Sequence, residues 1–159
     1  MFTLFSVHRH SYGVIPLRMR DGVVECLLIN QKKSSRAFDG AYWTFPKGTP
    51  EKGETGMETA IRETKEEVGI NFDDIDPDFS YDDSYSFVDG LTRIDKIVTY
   101  YIGRASEGDV VVQDKEVHEA MWLPLAEAHI KLTNDHARLI VDAISARLPH
   151  ARLFASKSV

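Results

Sequence analysis

A chain of 159 residues with 43% hydrophobic and 28% charged side chains has the balance of a folded protein and the usual size of one domain, so residues 1–159 are expected to form a single domain, with a small, basic tail from about Ala151. The formal net charge of −6 argues against a surface that holds nucleic acid by broad backbone electrostatics and favours a small phosphate ester over a long polyanion. The single cysteine, Cys26, excludes an intramolecular disulfide, and no apolar run approaches the roughly 20 residues of a membrane span. The opening stretch before His8, Arg9 and His10 is too short for a signal sequence, and a cytoplasmic location is expected.

Apolar residues dominate 11–17 and 23–30, with Asp21-Gly22 between them, a pattern that predicts a hairpin whose second strand lies centrally in a sheet. Cys26 sits in that second run and reads as a buried structural thiol. Residues 31–40 are polar and carry Lys32, Lys33 and Arg36, as a loop that is either solvated or in touch with substrate phosphates. Residues 41–48 form a short extended segment, in which Pro46 fixes the exit and Gly48 permits close approach of the backbone to a ligand.

The stretch 48–70 carries the chemistry. Met57, Ala60, Ile61, Thr64 and Val68 recur at helical spacing as a packing face, with Gly69 placed as a left-handed C-cap. Glu63, Glu66 and Glu67 fall on a separate arc, where like charges repel unless solvent or a divalent cation screens them. Carboxylate oxygens suit a hard ion, Mg²⁺ or Mn²⁺. Gly48, Glu54, Arg62, Glu63, Glu66, Glu67 and Gly69 stand in the spacing G-x5-E-x7-R-E-U-x-E-E-x-G-U, which resembles the signature box of the Nudix hydrolases. Seven such positions would match by chance in roughly one chain per million of this length. Thr64 departs from the pattern, which usually has an aliphatic residue there, although its methyl can still pack.

After the box, residues 71–78 are acidic and turn-rich and read as a loop. Residues 79–88 place Phe79, Tyr81, Tyr85 and Phe87 on one face of a strand, either as core or as a platform for a nucleobase. Residues 94–102 are β-rich with Lys96 at their entry, residues 110–112 make a brief strand at most, and 134–148 read as a closing helix. Thr133 or Asn134 can cap that helix, and Ala137, Ile140, Val141, Ile144 and Leu148 give it an apolar stripe.

The resemblance implies an α/β fold, the Nudix-type α/β/α sandwich around a central mixed β-sheet, and Mg²⁺ (or Mn²⁺) as cofactor. It implies metal ligands at Glu63, Glu66, Glu67 and the Gly48 carbonyl, and a proton acceptor shared between Glu66 and Glu63 with Glu116 behind them. Arg62 is expected to pair with Glu54 and hold Glu63 in place. The run Trp43-Thr44-Phe45-Pro46-Lys47-Gly48 looks like the lead-in of the dinucleoside polyphosphate branch, with Lys47 and Lys96 against phosphates and Tyr85 or Phe87 under a base. The activity implied is hydrolysis of a phosphoanhydride in a nucleoside diphosphate linked to another moiety, best read as diadenosine tetraphosphate cleaved to ATP and AMP. Alternatives in the family are dNTPs, inositol pyrophosphates and a capped or triphosphorylated RNA end. An idle nucleotide-sensing module would be marked by loss of box carboxylates, and none is lost.

Overall fold

The Asp21-Gly22 signal becomes a two-residue turn in which both residues are left-handed, with φ of 50° and 78°. That is the geometry whose twist matches the strands it joins, and Arg20 and Val23 pair directly across it. In the computed structural model, which describes residues 5–31, 41–112, 115 and 117–155, the strands so joined are β1 (Phe5–Arg20) and β2 (Val23–Gln31). The chain continues through β3 (Tyr42–Thr44), α1 (Gly56–Val68), β4 (Phe72–Ile75), β5 (Tyr81–Asp89), β6 (Thr92–Ala105), β7 (Val117–Pro124), α2 (Leu125–Lys131) and α3 (Asp135–Arg147).

β1 starts well before the expected residue 11 because β6 runs parallel to it from Phe5 opposite Thr92 to Leu17 opposite Arg104. β5 pairs antiparallel with the far edge of β6, β4 with its C-terminal end, and β3 and β7 both pair with β2, which is central as expected. The sheet is mixed. Alternate β1 residues serve its two faces: Val14 meets α1 and Ile15 and Leu17 meet α3, so each helix layer receives its own apolar row. Cys26 lies on the α3 side, fully buried, and burial pushes its thiol up to about 12.

Two expectations of local structure are corrected, for residues 71–78 and for the packing face of α1, and that for residues 110–112 is made definite. Residues 71–78 contain β4, whose pairing with β6 overrides two consecutive exposed aspartates, Asp73 and Asp74. Residues 110–112 form no strand; the Val111 N–H instead bonds the Val68 carbonyl at 2.9 Å and covers the end of α1. The buried stripe of α1 is Thr59, Ala60, Thr64, Glu67 and Val68, while Ile61 is exposed. The rotation follows from Thr64, whose hydroxyl accepts from the Val14 N–H and donates to the Ala60 carbonyl at 2.8 Å. The departure from an aliphatic residue at this position is thus satisfied by hydrogen bonds. α3 is capped by Asn134, whose side chain accepts from His136 and Ala137 N–H groups, and its stripe Ala137, Ile140, Val141 and Ile144 is buried.

Candidate functional site

Between β3 and α1 the chain turns at residues 46–48 and is clamped to β1. Gly48 N–H donates to the Tyr12 carbonyl at 3.0 Å, and Tyr12 N–H donates to the Gly48 carbonyl at 2.9 Å. Gly13 lets this happen, because a Cβ there would run into the Pro46 carbonyl. The capping box of α1, Thr55 with Glu58, then starts the helix so that Glu63 and Glu67, one turn apart, face the clamped segment. Glu67 is buried and its Oε2 accepts from the Lys47 N–H at 3.3 Å. The Glu63 carboxylate lies so close to the Gly48 Cα that any Cβ would occupy its place. Glu66, on the outer side, is exposed.

Arg62 organises the acidic face. It holds Glu54 with a two-armed grip, Nε to Oε2 at 2.7 Å and Nη2 to Oε1 at 2.8 Å, and Nη1 reaches Glu63 Oε1 at 3.0 Å and Glu66 Oε2 at 3.2 Å. Nη2 also donates to the Thr49 carbonyl. The guanidinium hydrogen bonds push the Glu54 carboxyl down to about 2, and the same bonds raise the Arg62 pKa further. Three carboxylates of the box, Glu54, Glu63 and Glu66, thus share the Arg62 guanidinium. Among the described residues no three acidic or imidazole side chains converge as a finished cation cage. The donor chemistry nevertheless fits a hard divalent ion: carboxylates of Glu63, Glu66 and Glu67 beside the Gly48 carbonyl, which keeps a lone pair beyond its bond to Tyr12.

On the α3 side of the sheet burial raises the Asp83 carboxyl, and His136 and Lys47 work against that rise. His136 Nδ1 lies 3.7 Å from Asp83 Oδ1. Further along the same face, Lys96 on β6 stands directly opposite Tyr85 on β5. Tyr85 packs against the main core, burial lifts its hydroxyl to about 12, and its ring stacks on Phe87 at 6.2 Å and 25°. Phe87 is 43% exposed. At this level of the sheet a surface cavity of about 420 Å³ opens, lined by Arg9, Tyr85 and Lys96 together with residues that alternate to the other face, among them His8, His10 and Asp95.

The structure thus brings Glu63, Glu67, Lys47 and Gly48 together, joins Glu54, Arg62 and Glu66 to them, and sets Lys96, Tyr85 and Phe87 apart along the sheet. Glu116 and the basic loop residues Lys32, Lys33 and Arg36 lie outside the described residues. Sequence reasoning missed Asp83, which looks like a solvent position until β5 is paired. It also missed Arg9, which precedes the expected strand, although alternation running back through Val7 and Phe5 carries the signal.

A family model described as NUDIX domain matches residues 7–143. The asymmetrical bis(5'-nucleosyl)-tetraphosphatase of Mus musculus is 32% identical over 127 residues, covering 79% of this chain and 78% of that protein. MutT4 of Mycobacterium tuberculosis is 33% identical over 141 residues; the match takes in 86% of this chain and 54% of that protein, so the chain spans about half the length of this relative. Among solved structures, a binary complex of the Caenorhabditis elegans Ap4A hydrolase superposes with a TM-score of 0.73 at 26% identity, covering 89% of this chain and 98% of that one.

Proposed function

This chain belongs to the Nudix family of hydrolases, and from that premise we propose that it is a metal-dependent pyrophosphohydrolase whose preferred reaction is the asymmetric cleavage of diadenosine tetraphosphate to ATP and AMP. The observation that carries the reading is the convergence of Glu63 and Glu67 on the Lys47–Gly48 backbone, with Lys96 and Tyr85 further along the same sheet. The likeness to the mouse tetraphosphatase and the worm Ap4A hydrolase supports the substrate class.

Mg²⁺ or Mn²⁺ would be held by Glu63, Glu66, Glu67 and the Gly48 carbonyl, where such an ion lowers the pKa of water and neutralises phosphate oxygens. The chain's own groups do the rest. Arg62, fixed by Glu54, sets the direction of Glu63 and Glu66. Glu66 or Glu63, with Glu116 as a further acidic residue, accepts the proton of the attacking water. Lys47, anchored through its own N–H on Glu67, offsets charge near the cleaved bond, and Lys96 offsets it along the polyphosphate. Tyr85 and Phe87 offer ring faces for a base, each worth about 1–3 kcal/mol where stacking is full.

A panel of diadenosine polyphosphates, dNTPs, nucleotide sugars, inositol pyrophosphates and 5′-triphosphate RNA, each with Mg²⁺, tests the reading. The highest kcat/KM is expected on diadenosine tetraphosphate, with ATP and AMP in equal amounts and ¹⁸O from labelled water in one of them. Preference for dNTPs with release of pyrophosphate, or symmetric cleavage to two ADP, would overturn the substrate assignment.

A further inference from the structure

The α3-side face of β1, β6 and β5 is laid out in rows, because residues directly opposite across paired strands share a face. Ser11, Val98 and Asp83 form the row nearest the clamp at Tyr12 and Gly48. The next row outward is Arg9, Lys96 and Tyr85, and the one after it is Val7, Ile94 and Phe87. At about 3.3 Å per residue, Arg9 stands about 10 Å along β1 from the clamp, and each row adds about 7 Å.

Two features of this order point to a ligand. Arg9 and Lys96 are cations side by side on neighbouring strands of an acidic protein, and Asp95, the carboxylate that lines the same cavity, pairs with Arg93 and His8. The row beyond them is wholly apolar: Ile94 is buried as its floor, while Val7 at 39% and Phe87 at 43% stay open to solvent. A cationic band followed by an apolar, aromatic one suits an anionic chain that ends in a flat apolar group. Nucleotides ending in free phosphate would leave the outer row uncovered.

We propose that Arg9 is a specificity-determining residue: with Lys96 it binds the phosphates remote from the cleaved bond and, with Phe87 beyond it, selects polyphosphates that carry a second nucleoside at the far end. This rests on the reading of the site as one for dinucleoside polyphosphates. The cation pair supplies charge that the Glu63–Glu67 end does not reach, and the Phe87 ring supplies the surface for the far base.

The test is calorimetric, with wild-type protein and the variants Arg9→Ala, Arg9→Lys and Phe87→Ala. The ligands are a methylene-bridged diadenosine tetraphosphate, adenosine tetraphosphate and ADP. Arg9→Ala should weaken both tetraphosphates about tenfold and ADP less than twofold, and Arg9→Lys should recover most of the loss. Phe87→Ala should weaken the two-ended ligand and spare adenosine tetraphosphate. Thermal unfolding of each variant checks that the sheet is intact. If Arg9→Ala leaves both tetraphosphates within twofold of wild type, or weakens ADP equally, the inference is wrong. If instead wild-type protein does not hydrolyse diadenosine tetraphosphate, the substrate reading falls and takes this inference with it.

Discussion

Arg62 grips Glu54 with two parallel hydrogen bonds, at 2.7 and 2.8 Å, and spends its remaining arm on Glu63 and Glu66. A lysine keeps the charge but has no fork, so it can serve Glu54 or the two outer glutamates and not both. Arg62→Lys is therefore expected to lower Mn²⁺ affinity by about 10–100-fold, as loss of a ligand-orienting partner does. Titration of the protein with Mn²⁺, followed by electron paramagnetic resonance, reads this directly. Affinity equal to wild type would remove Arg62 from the role of orienting the carboxylates.

Glu67 is the one buried glutamate of the box, and it accepts a backbone hydrogen bond from Lys47. Glutamine keeps an acceptor for that bond and loses the charge. Glu67→Gln should lower kcat by at least about 100-fold with an unchanged circular dichroism spectrum, and EDTA should abolish wild-type turnover. Turnover that persists in EDTA would sink the metal-dependent reading.

Gly48 separates conformational from chemical roles. Its φ is not in the left-handed region, so alanine fits the backbone, but the new methyl would lie where the Glu63 carboxylate now sits. Gly48→Ala is expected to displace Glu63, cost about 1–3 kcal/mol in urea unfolding and weaken Mn²⁺ binding in the same protein. Wild-type metal affinity despite the methyl would show that Glu63 is not a ligand.

Most of this site was legible because its residues are close in sequence: one helix and its lead-in loop carry Gly48 to Glu67, and helical spacing alone puts the carboxylates together. The packing face of α1 was misread because periodicity ranks Ile61 above a threonine. It does not register that the Thr64 hydroxyl finds partners on Val14 and Ala60. β4 was hidden by Asp73 and Asp74, both exposed where the register with β6 shifts between Phe72 and Asp74 and leaves Asp73 without a partner in the pairing. Arg9 and Asp83 were illegible for a different reason. Each takes its place on this face only through the β1–β6 and β5–β6 registers, with pairing partners 87 and 15 residues away; the alternation through Phe5 and Val7 marks Arg9 as strand but not what it lies beside.

Lys96 lies some way from the carboxylates, on the strand opposite Tyr85. A cation at that place helps bound substrate and transition state alike, which raises affinity without changing the chemical step. Lys96→Ala should raise KM by about tenfold and leave most of kcat in place. A normal KM with a collapsed kcat would move Lys96 to the reacting phosphate.

Asp76 offers a stability test away from the site. Its side chain is almost fully buried, accepts from Arg147 Nε at 2.7 Å and Nη2 at 3.0 Å, and takes a further bond from the Asp78 N–H. It thereby ties the end of α3 to the segment that follows β4. The Arg147 hydrogen bonds, first among the causes, hold the Asp76 carboxyl below its ordinary value. A depressed native pKa means that the unfolded chain takes up the proton first as the pH drops. The contribution is therefore complete well above about pH 4, the usual unfolded value for aspartate, and drains away as pH falls through that value towards the native one. Arg147 is partly solvated, so we place the loss in Asp76→Asn at about 3 kcal/mol near neutral pH, the low end for breaking a buried pair. Urea unfolding of wild type and variant at pH 7 and pH 3 should show the gap narrowing at the lower pH, since wild-type Asp76 is then moving towards the neutral state that asparagine mimics. An equal gap at both values would mean that packing, and not the charge on Asp76, ties α3 to the sheet.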